Sequence, residues 1–264
     1  MKSAAVRKEK KNMLEKIIHI VHECGEIMLG ASDIERTIHQ KEGKGNFVTD
    51  YDSRVQAALK EKLLELVPDA VFFGEEDEAD RADISQGYAF IVDPIDGTSN
   101  FMRGYRASCI SVALASDGYP VMGVVYNPYM QETFYAEKGK GAFLNGKPIH
   151  TSDRTLEQGL VLFGTAPYRE DLAKRSFEVA YRYFSRAEDL RRSGSAAIDL
   201  CALACGRAEF YFELILCPWD YAAGALIVEE AGGIVSDLEG NPVTFDQKQT
   251  VAARAPGVEL LKDI

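Results

Sequence analysis

The spacing of apolar residues changes several times along the chain. Residues 11–30 set Leu, Ile, Val and Met at helical intervals with charges between them ("LEKIIHIVHECGEIML"), which predicts an amphipathic helix. The same period returns in "DYDSRVQAALKEKLLELVPD", residues 50–69. An Asp/Ser cap region opens that predicted helix, and Pro68 stops it. "AVFFGEE" and "YAFIVDP" are short continuous apolar runs, which predict buried strands that each end in acids. From 108 to 150 the spacing alternates and Gly, Asn and Pro punctuate it. "SCISVALAS", "YPVMGVVYNP" and "ETFYAEKGKGAFLNGKPI" therefore predict antiparallel strands joined by turns.

Beyond 150 the pattern mixes both elements. "LEQGLVLFGTAP" predicts a strand and "REDLAKRSFEVAYRYFSR" a helix. "GSAAIDLCALACGRA" predicts a helix opening on Gly-Ser, "EFYFELI" a short strand, and "PWDYAAGALIVEEAGG" a helix ended by paired glycines. There is no internal repeat and no low-complexity linker. The organisation predicted is an N-terminal α+β half, 1–150, closely packed on a C-terminal α/β half, 151–264.

Composition narrows the class. With 264 residues and 46% apolar side chains, the chain has ample material for a core. No run of 18 apolar residues exists, so no membrane span is expected. The basic start, "MKSAAVRKEKKNM", leads into the amphipathic pattern and not into a secretion signal. A net charge of −11 without a basic face argues against nucleic-acid binding. Most of the acidic run "GEEDEADRAD" reads as a solvated loop; its first two acids, Glu75 and Glu76, follow an apolar strand and are treated apart. The five cysteines are odd in number and lack Cys-x-x-Cys spacing, so they read as reduced, mostly core residues of a cytoplasmic protein.

Two patterns imitate functional motifs. His19 and His22 stand three apart, which is not the spacing of a zinc-protease helix. Gly141 to Pro148 contains Gly-x4-Gly-Lys, yet lacks the Ser/Thr after Lys147, and Pro148 blocks the helix a phosphate loop needs. It reads as a turn. No Gly-x-Ser-x-Gly elbow is present.

The remaining signal is acidic. Asp93 and Asp96 end the apolar run Phe90-Ile91-Val92, with Pro94 between them. Glu75 and Glu76 end another, and Asp220 stands beside the only tryptophan at a predicted helix start. Alone, Asp220 would read as an N-cap and the glutamates as solvent-facing. Together, three apolar segments end in carboxylates, and like charges cannot converge without cations. Hard divalent ions with oxygen ligands solve that problem, and Mg²⁺ suits a site of carboxylates, waters and substrate phosphate. The following Gly97-Thr98-Ser99-Asn100 turn offers backbone amides to an anion. Metal-dependent phosphate chemistry follows from that pairing.

At these residues the sequence resembles the inositol monophosphatase family of lithium-sensitive, Mg²⁺-dependent phosphatases. "NFVTDYD", "FFGEE", "IVDPIDGTSNF", "RRSGSAAIDLCALACGRAEFYFE" and "PWDYAAGALIVEEAGG" match its blocks in order over nearly the whole chain. The resemblance implies a layered αβαβα sandwich, usually a homodimer, related in fold to fructose-1,6-bisphosphatase. It implies roughly two to three Mg²⁺ ions per subunit. Glu75, Asp93 and the Ile95 carbonyl would hold the first; Asp93, Asp96 and Asp220 the second; a weaker third would sit near Glu75. Gly97 and Thr98 amides would bind phosphate, and Asp52 with Thr98 would orient the attacking water. Gly194, Ser195, Ala196 and Glu213 would contact the alcohol, with Asp96 and Asp220 also facing the substrate. Lys41 and Glu76 have positions near the site.

The activity implied is hydrolysis of myo-inositol monophosphate. Fructose 1,6-bisphosphate, 3′-phosphoadenosine 5′-phosphate and histidinol phosphate remain as alternative esters, and Arg191 and Arg192 either meet a second phosphate or face solvent. Some bacterial relatives also serve as partners of the transcription machinery, which leaves a regulatory role as an alternative of another class.

Overall fold

The computed structural model of the chain describes residues 2–77 and 83–262, so part of the acidic run after Asp77 lies outside the described residues. Two helices open the fold: α1 (Lys2–Leu29) and α2 (Asp50–Leu66). Ile17, Val21, Cys24 and Met28 on α1, and Val55, Leu59 and Leu63 on α2, form the apolar stripes that the helical period predicts. The cap of α2 differs from the expected Asp/Ser region. Thr49 is the N-cap, and Asp52 closes a capping box back onto it. Burying one such apolar side chain is worth about 1.5–3 kcal/mol, against about 1 for a cap. Packing therefore places the helix, and the cap fixes only where it begins.

Between the helices, β1 (Ile38–Gln40) and β2 (Phe47–Thr49) form a hairpin of their own. The large sheet follows in strict chain order: β3 (Val71–Gly74), β4 (Tyr88–Asp96), β5 (Cys109–Ser116), β6 (Tyr119–Asn127), β7 (Glu132–Glu137), β8 (Ala142–Leu144) and β9 (Lys147–Ile149). Only β3 and β4 pair parallel; the others are the antiparallel meander that the alternating pattern predicts. The Gly-x4-Gly-Lys segment is the β8–β9 hairpin. Asn145 and Gly146 turn it with φ of +49° and +80°, the pairing that two-residue hairpin loops favour.

One face of this sheet, through Phe90, Val92, Ile110, Val112 and Val124, buries against α1 and α2. The other, through Ala89, Ile91, Ala113 and Val125, buries against α5 (Ala196–Ala204) and α6 (Pro218–Glu230), which follow α3 (Thr98–Arg103) and α4 (Glu170–Phe184). A second, five-stranded sheet covers α5 and α6. It contains β10 (Leu160–Phe163), β11 (Asp189–Arg191), β12 (Phe210–Leu216), β13 (Ile234–Ser236) and β14 (Gln249–Arg254), in the order β11-β10-β12-β14-β13. Helix α4 closes the outer face through Val179, Ala180 and Tyr183. The architecture is an αβαβα sandwich, and Leu200, Tyr221 and Leu226 belong to a core that both sheets share.

Cys24, Cys109, Cys201 and Cys217 are buried, Cys205 is half-buried, and all five thiols are unpaired. His22 points its Nε2 at Thr133 Oγ1 (2.7 Å), while His19 lies beside Glu23, so the two imidazoles share no ligand site. No helix among the described residues is long and apolar enough to cross a membrane.

Candidate active site

The end of β4 answers how two aspartates three apart can act together. In a regular strand, residues at i and i+3 point to opposite faces. Here Asp93 pairs with Ser111 and Asp96 with Cys109, so three steps on β4 oppose two on β5. The extra residue is a bulge at Pro94–Ile95, where a missing ladder N–H costs nothing. The bulge reverses the parity: Ile95 now packs with Val92 toward α1 and α2, and Asp96 turns to the face that bears α5.

Each acid is fixed by one oxygen. Asp93 Oδ1 accepts from the Ile95 amide at 3.0 Å. Asp96 Oδ2 accepts from Ser195 Oγ at 2.6 Å and from the Ala197 amide at 2.7 Å, which ties β4 to the start of α5. Asp220 is not the N-cap of α6 but its third residue; Oδ2 accepts from the Cys217 amide at 2.7 Å in a capping box. Glu75 follows β3, with Oε1 3.3 Å from Lys41 Nζ, and Lys41 also reaches Glu76 at 2.7 Å.

Asp52 is fully buried. Its Oδ2 accepts from the amide and the hydroxyl of Thr49, at 2.8 and 2.6 Å, and its Oδ1 lies 3.2 Å from Thr98 Oγ1. The same hydroxyl is 3.1 Å from the Ile95 carbonyl oxygen and donates to one of the two at a time. Thr98 opens α3, a short helix where the sequence reads only as a turn. Gly97 is its N-cap at φ +85°, and a Cβ there would sit 2.8 Å from the Ala107 carbonyl oxygen, so only glycine fits.

These elements surround a cavity of about 730 Å³. Lys41, Glu75, Asp96, Gly97 and Thr98 line it from one half of the chain; Gly194, Ser195, Ala196, Glu213 and Asp220 line it from the other. Asp52, Glu76, Asp93 and Ile95 do not line it. Glu213 reaches its position because residue 164 is glycine: a Cβ there would lie 1.8 Å from the carboxylate. Arg192 joins the lining, whereas Arg191 pairs with Asp189 at the surface. Tyr168, Asp199 and Lys248 also line the cavity. No motif or period in the sequence marks Tyr168 or Lys248, which lie on loops, whereas Asp199 stands on α5 within a family block but is not singled out by it.

The electrostatics are those of crowded acids. Burial first, then Glu75, Asp96, Asp220 and Asp52, push the Asp93 carboxyl well above its ordinary range. Burial and then Glu75 and Asp96 do the same to Asp220. Burial raises Asp96 to about 6 despite the Ser195 hydroxyl and the surrounding amides. Burial raises Glu75 as well, and Lys41 offsets only part of it. Burial opposes the charge on Lys41, but Glu75 and Glu76 outweigh it and hold the amine protonated. Burial also lifts Glu213 to about 7 and Asp199 to about 8.

As placed, no three Asp, Glu, His or Cys side chains among the described residues form a complete ligand cluster. The fit to a cation rests on donor chemistry instead. Several half-buried or buried carboxylates disfavour one another's ionisation, Lys41 pairs with Glu75 and Glu76 alone, and every donor is a hard oxygen.

Comparison with known proteins gives the family and the fold. The inositol monophosphatase family profile matches residues 9–263. An inositol-1-monophosphatase of Synechocystis is 37% identical over 81% of this chain and 75% of its own. The Nus factor SuhB of Xylella fastidiosa is 34% identical over 85% of this chain and 81% of its own. The solved inositol monophosphatase of Anabaena superposes with a TM-score of 0.82 at 29% identity, covering 94% of this chain and 92% of that one. Fold and relatives together define a phosphatase, of a metal-dependent kind. The chain belongs to the inositol monophosphatase family.

Proposed function

We propose that the chain hydrolyses myo-inositol monophosphate, or a closely similar polyol or sugar phosphate, to the free alcohol and inorganic phosphate. The observation that carries this reading is the gathering of Glu75, Asp96 and Asp220 around one cavity that also holds Glu213, with Asp93 near enough to feel the charge of all three acids. The donor set fits Mg²⁺: Glu75, Asp93 and the Ile95 carbonyl for one ion, Asp93, Asp96 and Asp220 for another, and Glu75 beside a third. When bound, such ions acidify a water and neutralise charge on the phosphoryl group.

The chain's own residues do the rest. Thr98 Oγ1 orients the attacking water and relays its proton to Asp52 Oδ1, a path that their 3.2 Å separation supports. Amides at Gly97 and Thr98 hold the phosphoryl oxygens. The water oxygen bonds to phosphorus as the ester P–O bond breaks, and the leaving alkoxide takes a proton from solvent water. Glu213 accepts hydrogen bonds from hydroxyls of that alcohol, while Gly194, Ser195 and Ala196 shape the wall behind it. No activated side-chain nucleophile is required.

A substrate panel assayed with and without Mg²⁺ and lithium tests this. The expected result is Mg²⁺-dependent turnover highest on inositol monophosphate, lost on chelation and lowered by lithium. Preference for fructose 1,6-bisphosphate, 3′-phosphoadenosine 5′-phosphate or histidinol phosphate would reassign the substrate; no turnover on any ester would overturn the enzyme reading.

The family resemblance also supports a homodimer. Phe177, Tyr181 and Phe184 lie on α4 at helical spacing and are 59%, 69% and 46% exposed, an apolar stripe suited to a second copy. Sedimentation at micromolar concentration is expected to give a dimer, and Phe177→Glu a monomer; a monomeric wild type would remove the proposal. A relative's name, Nus factor SuhB, favours a second reading: a regulatory partner of the transcription machinery. Failure of the purified chain to co-purify with transcription complexes would set that reading aside.

A further inference from the structure

The segment between β10 and α4 carries no family motif, yet it reaches the cavity. Its path is set by three contacts. The Ala166 amide donates to Glu213 Oε1 at 3.0 Å, so the loop is fastened to the residue that faces the leaving alcohol. Ala166 itself takes φ +38°, a left-handed turn that a non-glycine residue adopts at a cost, and the Arg169 amide closes the turn onto the Ala166 carbonyl at 2.8 Å. Tyr168, at the apex, then packs on the β1–β2 hairpin: a Cβ on Gly43 would lie 3.0 Å from the Tyr168 Cβ.

The phenol is held but not used within the protein. Tyr168 lines the cavity, and its hydroxyl makes no hydrogen bond among the described residues. The side chain is half-buried and its hydroxyl is open to the cavity, where a substrate group can reach it. Burial first, and then Asp220, Cys217, Glu213 and Glu75, hold the phenol protonated. A protonated phenol among acids is a hydrogen-bond donor, the complement of a carboxylate acceptor such as Glu213. One cavity therefore offers an acceptor on β12 and a donor on the loop that is anchored to it.

We infer that Tyr168 is a specificity-determining residue: its hydroxyl donates to a hydroxyl of the leaving alcohol that Glu213 also contacts. The inference rests on the polyol phosphate reading above and deepens it. A substrate with adjacent hydroxyls can satisfy both protein groups; an ester of a simple phenol can satisfy neither. Tyr168→Phe keeps the Cβ and backbone that lie against Gly43 and removes only the donor.

The test compares wild type and Tyr168→Phe, loaded with Mg²⁺, on inositol monophosphate and on p-nitrophenyl phosphate, with kcat and KM separated. The ratio of kcat/KM for the polyol ester over the aryl ester is expected to fall about five- to tenfold, the worth of one hydrogen bond, with the loss in KM. A ratio within twofold of wild type, or an equal fall in kcat on both esters, overturns the assignment of Tyr168. A wild type with no preference for the polyol ester overturns the substrate reading, and this inference with it. A selective wild type whose selectivity Tyr168→Phe leaves untouched overturns Tyr168 alone.

Discussion

Asp93→Asn is expected to lower turnover by about 10³-fold or more and, at the same time, to raise the melting temperature of the metal-free protein. Both effects have one origin. Asp93 is 2% exposed, and four other acids raise its pKa in addition to burial. A folded-state pKa above the unfolded one means that the native chain binds the proton more tightly. The stabilising contribution is complete below the unfolded pKa and is lost as pH rises through the folded one. Above the unfolded pKa the raised folded pKa therefore works against folding, and an amide of the same shape removes that penalty.

The amide oxygen can still accept from the Ile95 amide, so the bulge is kept. Each kcal/mol recovered corresponds to about 2–4 °C for a chain of this size. Activity moves the other way, since a preorganised electrostatic contact to the reacting group is worth about 10²–10³-fold and Asp93 is assigned to both ions. Calorimetry across pH 4–8 checks the stability half: the gap between variant and wild type should open with rising pH, and Mg²⁺ should close it by binding the native wild type. A variant that melts lower than wild type at every pH, or that keeps a tenth of its turnover, would refute the account.

What was legible beforehand followed the range of the interaction. The stripes on α1 and α2 depend on neighbours three and four apart, and the sequence displays them directly. The meander of the large sheet was legible for the same reason, through alternation and an Asn-Gly turn. The acids could be listed as candidates, but not their geometry. Spacing alone sets Asp93 and Asp96 on opposite faces, and the bulge that reunites them shows only as a proline inside a strand. Asp220 reads as an ordinary cap residue, and it is also part of a capping box: one residue satisfies the helix start and faces the cavity. Tyr168 was out of reach. Its position follows from Glu213, forty-odd residues away, anchoring the Ala166 turn at 3.0 Å, and no local pattern encodes that bond.

Asp52→Asn should produce the second large loss, about 10²–10⁴-fold in kcat, through the direction of one hydrogen bond. The wild-type carboxylate is acceptor-only. It takes two donors from Thr49 on Oδ2, which leaves Oδ1 for the Thr98 hydroxyl. Asparagine satisfies Thr49 only if its carbonyl oxygen faces that way, which turns its NH₂ toward Thr98. The threonine hydroxyl then accepts where it previously donated, and no longer has a base to which it can pass a proton. Stability is expected to improve. Burial lifts the Asp52 carboxyl from 3.8 to about 6 in spite of the Thr49 donors, so the ionised form costs about 3 kcal/mol above pH 6, and less once the weakened capping box is deducted. That penalty is absent below pH 3.8, where both states are protonated, and grows as pH rises toward 6. Metal-free Asp52→Asn should therefore melt higher than wild type at pH 7 and level with it near pH 4. Equal melting at both pH values would mean that Asp52 is not the buried, raised carboxyl described, and a kcat within threefold of wild type would exclude it as the base.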